Sequence, residues 1–291
     1  MPQLSSFRSG AFLGTIALLL TTLSVSAVED ARPVEDASKQ HLEQKKSAAL
    51  PTLWIIGDST VKVGTKGEEG WGSELPAFFD ESRINVVNRA IGGRSSRTFY
   101  TEGRWDDIVK ELQPGDFVLM QFGHNDGGAV NDNFRARASL KGIGEETQEI
   151  DNLLTKKHEV VHTFGWYMRK YVDDAKAKGA VPIVCSPIPH QVWTNGKMER
   201  AVGSYGGWDQ QVAAQEKAFF VDLNEIIAER YEAMGPDAVK PLFGDARTHT
   251  TPAGAKLNAE CVTSGLAALP DCKLMDYFSD QGKAVKPFTT K

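Results

Sequence analysis

The residues of this chain whose types suit covalent chemistry fall in four short polar clusters. They are Gly57-Asp58-Ser59-Thr60, the run from Asn88 through Gly92 and Gly93 to Ser95, Gly123-His124-Asn125-Asp126, and the run from Thr248 and His249 to Ala255. Acyl transfer needs an activated hydroxyl, a base within hydrogen-bond reach, and donors aimed at the oxygen on which negative charge develops. Ser59 offers the hydroxyl and its own N–H. Gly93 lacks a Cβ, so its backbone N–H can approach a substrate closely. Asn125 offers a side-chain N–H, His249 can accept the serine proton, and Asp245 is the nearest carboxylate able to orient the imidazole. Each has a plainer use alone: Ser59 as a helix N-cap, Gly92 and Gly93 as turn glycines, Asn125 in an Asx-turn, His249 at a helix start. Their order and placement favour the chemical reading.

The placement comes from the elements around them. Apolar bursts at residues 53–56, 84–87, 117–120, 181–184 and 219–221 have strand length. They are continuous rather than alternating, as in a parallel sheet buried on both faces. Helical patterns lie between them, at 104–112, 158–178 (ending at Gly179), 208–217, 223–234 and 252–269. This alternation predicts a doubly wound, flavodoxin-like α/β three-layer sandwich around a mostly parallel five-stranded sheet. The first three polar clusters each begin where a burst stops. In open parallel sheets, ligands bind beyond the carboxyl ends of the strands, near a switch in strand order. Residues 127–157 are polar and poorly periodic, the pattern of a lid or binding element.

The chain has 291 residues, 41% of them hydrophobic, with 33 Lys+Arg against 38 Asp+Glu and a formal net charge of -5. The apolar share excludes wholesale disorder, and the mild acidity gives no reason to expect a nucleic-acid partner. Arg8, the apolar run from Ala11 to Leu23 and the small residues Val25-Ser26-Ala27 describe a secretory signal peptide over residues 1–27, cleaved after Ala27. Residues 28–50 read as a linker or N-terminal arm and residues 51–291 as the folded domain, with no membrane association once the leader is removed. The 3 cysteines are few for a secreted chain. Cys185 lies in an apolar run and reads as a buried thiol, whereas Cys261 and Cys272 flank a short loop and are expected to pair, adding about 2–3 kcal/mol.

In combination, Gly57-Asp58-Ser59, the glycine block ending at Gly93, Gly123-His124-Asn125-Asp126 and the His249 block resemble the SGNH, or GDSL-type, hydrolase superfamily. Longer stretches are similar to the rhamnogalacturonan acetylesterases within it: Gly57 to Val61, Gly93 to Arg97, Phe122 to Gly128 and His249 to Ala255. The resemblance implies Ser59 as nucleophile, His249 as base, and Ser59, Gly93 and Asn125 as the oxyanion hole, with no metal or organic cofactor. It implies a secreted or periplasmic serine esterase, monomeric, acting on acetyl esters of a pectic polysaccharide. One position departs. The family places an Asp three residues before the His, where this chain has Ala246, and Asp245 stands four before. Either a one-residue bulge brings Asp245 to the ring, the favoured reading, or a Ser–His dyad works with a backbone carbonyl.

Two further signals bear on function. His158-Glu159-Val160-Val161-His162 matches H-E-x-x-H, which on a helix sets two imidazoles on one face for zinc; no third ligand stands at a familiar spacing. Arg94, Arg97 and Arg104 interleave with Phe99, Tyr100 and Trp105, while Trp71 and Trp193 follow strand ends. Aromatic faces stack on sugars and arginines pair with carboxylates, so Arg94, Arg97, Trp71 and Trp193 are candidate contacts to a uronic-acid polymer. The alternatives are an esterase for another acyl group, a zinc peptidase using the H-E-x-x-H segment, and a polysaccharide-binding protein without turnover.

Overall fold

A computed structural model of the chain describes Met1 and residues 43–289. The expected leader and most of the expected arm lie outside the described residues. The strands are β1 (Thr52–Gly57), β2 (Asn85–Asn88), β3 (Phe117–Gln121), β4 (Thr147–Asp151), β5 (His158–His162), β6 (Val181–Cys185), β7 (Trp193–Thr194), β8 (Lys197–Met198) and β9 (Phe219–Val221). The helices are α1 (Trp71–Glu74), α2 (Ser96–Thr101), α3 (Arg104–Glu111), α4 (Phe164–Ala177), α5 (Tyr205–Gln215), α6 (Leu223–Met234), α7 (Pro236–Val239), α8 (Pro252–Ala267) and α9 (Asp280–Ala284).

Five strands form one sheet in the order β2-β1-β3-β6-β9, and every pairing in it is parallel. Side chains alternate across a strand, so a continuous apolar burst feeds two cores at once. Leu53, Ile55, Phe117, Leu119, Ile183 and Cys185 pack with α1, α6 and α8. Trp54, Ile56, Val118, Met120 and Val184 pack with α2, α3, α4 and α5 on the opposite face. This is the expected three-layer α/β sandwich. The strand order reverses between β1 and β3, the switch point of a flavodoxin-like sheet.

Residues 43–50, the end of the expected arm, are fastened to the sheet edge. Glu43 accepts from the Asn88 backbone N–H at 2.9 Å and from Lys62 Nζ at 3.1 Å, and Ser47 and Asn85 exchange bonds at 2.9 and 2.8 Å. The expected Cys261–Cys272 disulfide is not formed: all three cysteines are free and buried. Both thiols serve as small apolar side chains in the core beside α6 and α8. Among the described residues, no helix is long and apolar enough to cross a membrane.

The helix expected over residues 158–178 begins later. Residues His158–His162 are instead β5, antiparallel to β4. The β-branched Val160 and Val161 suit a strand, and Thr163 starts the helix by accepting from the Trp166 N–H at 3.1 Å. In a strand, residues four apart lie about 13 Å apart at roughly 3.3 Å per residue, so the two imidazoles cannot share an ion. The long polar segment before α4 is held down by Arg97, whose side chain has no exposed surface. Its guanidinium donates to both Glu159 oxygens at 2.6 and 2.8 Å, and to the carbonyls of Val130 and Ala138 at 2.7 and 2.8 Å. One arginine on α2 thus staples the segment at three points. Arg97→Ala should cost about 3–5 kcal/mol, because it strands a half-buried carboxylate and two carbonyls. Urea unfolding checks this, and a loss under about 1 kcal/mol would mean that the staple is dispensable.

Candidate active site

The turn leaving β1 is built by Asp58, which is fully buried. Its carboxylate accepts from the Thr60 N–H at 2.9 Å and the Thr60 hydroxyl at 2.7 Å, while its carbonyl accepts from the Val61 and Lys62 N–H groups at 3.1 and 3.0 Å. Ser59 is suspended between these bonds and keeps 8% of its surface. The turn leaving β3 braces it from behind: His124 Nδ1 lies 3.2 Å from Asp58 Oδ2, and His124 Nε2 lies 3.0 Å from the Ile188 carbonyl oxygen. The Ile188 carbonyl only accepts, and so does Asp58 as a carboxylate, so the two contacts together favour the imidazolium. Burial works against charge on each member. On Asp58 it is outweighed by the His124 charge and the His124 and Thr60 bonds, which hold the carboxyl below its ordinary range. On His124 it is outweighed by Asp58 and the Ile188 carbonyl, which raise the imidazole. His190 packs edge-on at 5.1 Å between ring centroids. Burial, with the charges of His124 and Arg247, pushes it down to about 3.

The segment before α8 brings the imidazole. Gly244 donates its N–H to the His249 carbonyl at 2.7 Å, closing a loop over residues 244–249. Inside it, Asp245 Oδ1 accepts from the N–H groups of Arg247, Thr248 and His249 at 2.8, 2.6 and 3.1 Å. Its other oxygen, Oδ2, stands 2.6 Å from His249 Nδ1. Wrapping the chain around one carboxylate oxygen absorbs the extra residue between Asp and His. Burial would raise this carboxyl, but the His249 bond and the three N–H bonds outweigh it and hold it far below the usual range. A carboxylate cannot donate, so the ring proton sits on Nδ1. Nε2 is then left to accept, and it lies 2.8 Å from Ser59 Oγ. Hydroxyl, imidazole and carboxylate form one continuous hydrogen-bonded chain.

The turns after β2 and β3 bring Gly93 and Asn125. Gly93 has a φ of 77°, a left-handed conformation that suits glycine, and Arg137 Nη1 donates to its carbonyl at 3.0 Å. Asn125 Nδ2 donates to the Arg94 carbonyl at 3.0 Å. That bond commits one amide hydrogen and sets the plane of the other. Asp126, fully buried, binds Ser96, Gly123 and Ser139 together. Burial pushes its carboxyl up to about 6, although the Ser96 and Ser139 bonds pull the other way.

The candidate sugar contacts are placed differently. Trp71 has no exposed surface and its indole N–H donates to Gln121 Oε1 at 2.8 Å. Arg97 is the buried staple, and Arg94 is buried against Glu102, with Nε to Oε2 at 3.1 Å. Trp71 and Arg97 are interior residues, while Arg94 keeps 7% of its surface, as much as Asn125. Trp193, on the β7–β8 hairpin, keeps partial exposure. Within the H-E-x-x-H segment, Glu159 is taken by Arg97, His162 stacks on Trp166 at 3.8 Å, and His158 lies 3.3 Å from Asp151. Among the described residues, the ligand atoms of Glu68, Asp245 and His249 come within 4.8 Å of one another. An ion there would compete with the His249–Asp245 bond.

Residues 55–257 match the GDSL-like lipase/acylhydrolase family. The chain belongs to this family. It is 34% identical over 227 residues to the rhamnogalacturonan acetylesterase of Emericella nidulans, covering 76% of this chain and 89% of that one. It is 30% identical over 224 residues to the probable rhamnogalacturonan acetylesterase YesY of Bacillus subtilis, covering 75% and 93%. The crystal structure of the Bacillus subtilis protein YxiM superposes with a TM-score of 0.60 at 26% identity, over 75% of this chain and 56% of that longer one. Membership makes the protein a carboxylic ester hydrolase. It gives a common reason for a serine turn, a glycine turn, an asparagine turn and a histidine loop at one sheet edge.

Sequence reasoning assigned no role to Asp58, His124, His190 or Glu68. The first two carry a signal, since they sit inside the polar clusters; the others become neighbours of the site only through folding. The Asp58–His124 pair makes stability depend on pH. Folding favours protonated His124, so its contribution is full below the ordinary value of 6.5 and is lost as pH rises through the raised folded value. The Asp58 contribution is full above 3.8 and is lost as pH falls through the depressed value. His124→Asn should therefore lower stability by about 3–5 kcal/mol at pH 6 and remove the decline above pH 6.5 expected of the native chain. Urea unfolding at a series of pH values tests it. An identical slope in both proteins would rule out the imidazolium.

Proposed function

We propose that the protein is a secreted serine esterase that removes acetyl groups from a pectic polysaccharide of the rhamnogalacturonan type through an acyl-enzyme. The observation that carries the reading is the unbroken chain from Ser59 Oγ to His249 at 2.8 Å and from His249 to Asp245 at 2.6 Å. Ser59 Oγ attacks the acetyl carbonyl carbon while His249 Nε2 takes the hydroxyl proton. Asp245 holds the ring and stabilises the imidazolium that forms. The N–H groups of Ser59 and Gly93 and the amide of Asn125 receive the oxyanion. Collapse of the tetrahedral intermediate breaks the bond to the sugar oxygen, which leaves with the proton from His249. Water, deprotonated by the same nitrogen, attacks the acetyl-serine; acetate departs and Ser59 recovers its proton.

The acetyl and pectic parts rest on the relatives from Emericella nidulans and Bacillus subtilis, whose names specify rhamnogalacturonan acetyl esters. Export rests on the leader pattern in residues 1–27. Trp193 remains a candidate to stack on a sugar ring and Arg94 a candidate to pair with a sugar carboxylate, while Arg97 and Trp71 act from the interior by shaping the site.

Acetate release from a panel of acetylated polysaccharides tests the reading. Ser59→Ala should lower turnover by on the order of 10⁶-fold and change stability by only about 1 kcal/mol. For Asn125→Ala the expected loss is about 10²–10³, and for Asp245→Asn it is more than about tenfold. A Ser59→Ala protein that still releases acetate at the native rate would remove the nucleophile. Native release from other polymers but never from rhamnogalacturonan would remove the substrate.

A further inference from the structure

The loop between the Ser59 turn and α1 carries a second acid to the histidine. A carboxylate oxygen of Glu68, one of Asp245 and a ring nitrogen of His249 lie within 4.8 Å of one another. Two features show that this approach is built into the fold. Glu69 donates its N–H to the Thr250 carbonyl at 2.8 Å, and the Thr250 hydroxyl donates to the Glu69 carbonyl at 2.8 Å. The residues adjoining Glu68 and His249 are therefore zipped together. The Glu68 side chain also crosses the backbone of Gly244, where a Cβ would stand 2.7 Å from Glu68 Cγ. Gly244 is in turn tied to the His249 carbonyl at 2.7 Å. A side chain at position 244 would shut Glu68 out.

We propose that Glu68 is a positioning residue, a second carboxylate that shares with Asp245 the task of orienting His249 and stabilising its protonated form. The proposal rests on the serine esterase reading above. It follows from how Asp245 is used. One of its oxygens already holds three backbone N–H groups, so only the other serves the ring. Two carboxylates this close repel each other while the ring is neutral, and both gain when the ring accepts the serine proton. The arrangement thus favours the transition state over the resting state. The other charged and titratable groups around the ring are Glu69 and Arg247 beside it in the two loops, His190 through its contact with Thr248 at 3.1 Å, and the Asp58–His124 pair under the serine turn. Glu68→Gln leaves all of these in place.

The test compares Glu68→Gln, Gly244→Ala and Asp245→Asn, singly and combined, by kcat, KM and pH profile on a chromogenic acetate ester. Glu68→Gln should lower kcat about 3- to 30-fold with KM within about twofold. It should also move the acid limb of kcat/KM to lower pH by a few tenths of a unit, the size expected for a partly exposed charge pair. Gly244→Ala should reproduce both effects and add nothing to Glu68→Gln. In the Asp245→Asn background, losing Glu68 should cost at least threefold more than it does alone, because the remaining carboxylate then holds the ring unaided. An unchanged kcat and pH profile, a change confined to KM, or strict additivity with Asp245→Asn would overturn the proposal. If Ser59→Ala abolishes turnover and Asp245→Asn lowers it while Glu68→Gln does not alter it, only the role of Glu68 fails. If Ser59→Ala is active, the underlying esterase reading fails instead.

Discussion

Strands that pair in parallel all deliver their carboxyl ends to the same edge of a sheet, and each must be left by a crossover before the next begins. The five-stranded sheet is parallel throughout, so the turns after β1, β2 and β3 open side by side at the point where strand order reverses. These turns hold Ser59, Gly93 and Asn125. Their position depends on burial of both sheet faces, which stops the strands from sliding, and on the buried Asp58–His124 pair, which fastens the first turn to the third. A charge pair out of water adds little net stability. Here it adds a fixed distance between two turns that have no backbone ladder to hold them.

The histidine arrives from a different part of the chain, and its geometry is set locally. Asp245 divides its carboxylate between the backbone of its own loop and the imidazole, so the same group folds the loop and orients the ring. An Asp four residues before the His reaches the ring because the extra residue is taken up in the turn around Oδ1. The cost is an acid with one oxygen for the ring, and the neighbouring Glu68 lies where its charge compensates.

The arginines and tryptophans show how residue type misleads when position is unknown. Arg94, Arg97 and Trp71 have the chemistry of sugar-acid recognition, yet they are buried and bonded to Glu102, Glu159 and Gln121. They fix the glycine turn, the 127–163 segment and the end of β3. The histidines of the 158–162 segment misled in the same way. Their spacing has meaning on a helix, and β-branched residues together with a partner strand made it a hairpin instead.

Length, apolar bursts and the order of the polar clusters were enough to specify a doubly wound sheet and to nominate Ser59, His249, Gly93, Asn125 and Asp245, because period and sequence order are local properties that a single chain displays. The bounds of the five strands in the parallel sheet and of α6 could be read to within a residue or two for the same reason. Pairing of β4 with β5 was not legible, since its partner is a backbone segment rather than a pattern. Nor was the fate of Cys261 and Cys272, which depends on where the middle of α8 and the segment that follows it come to rest. Which oxygen of Asp245 meets the ring, which arginines are interior, and that Glu68 reaches across Gly244 were decided only by the tertiary structure. The first depends on how one short loop wraps its own backbone, and the others on distances between segments far apart in sequence, which exist only once the core has closed.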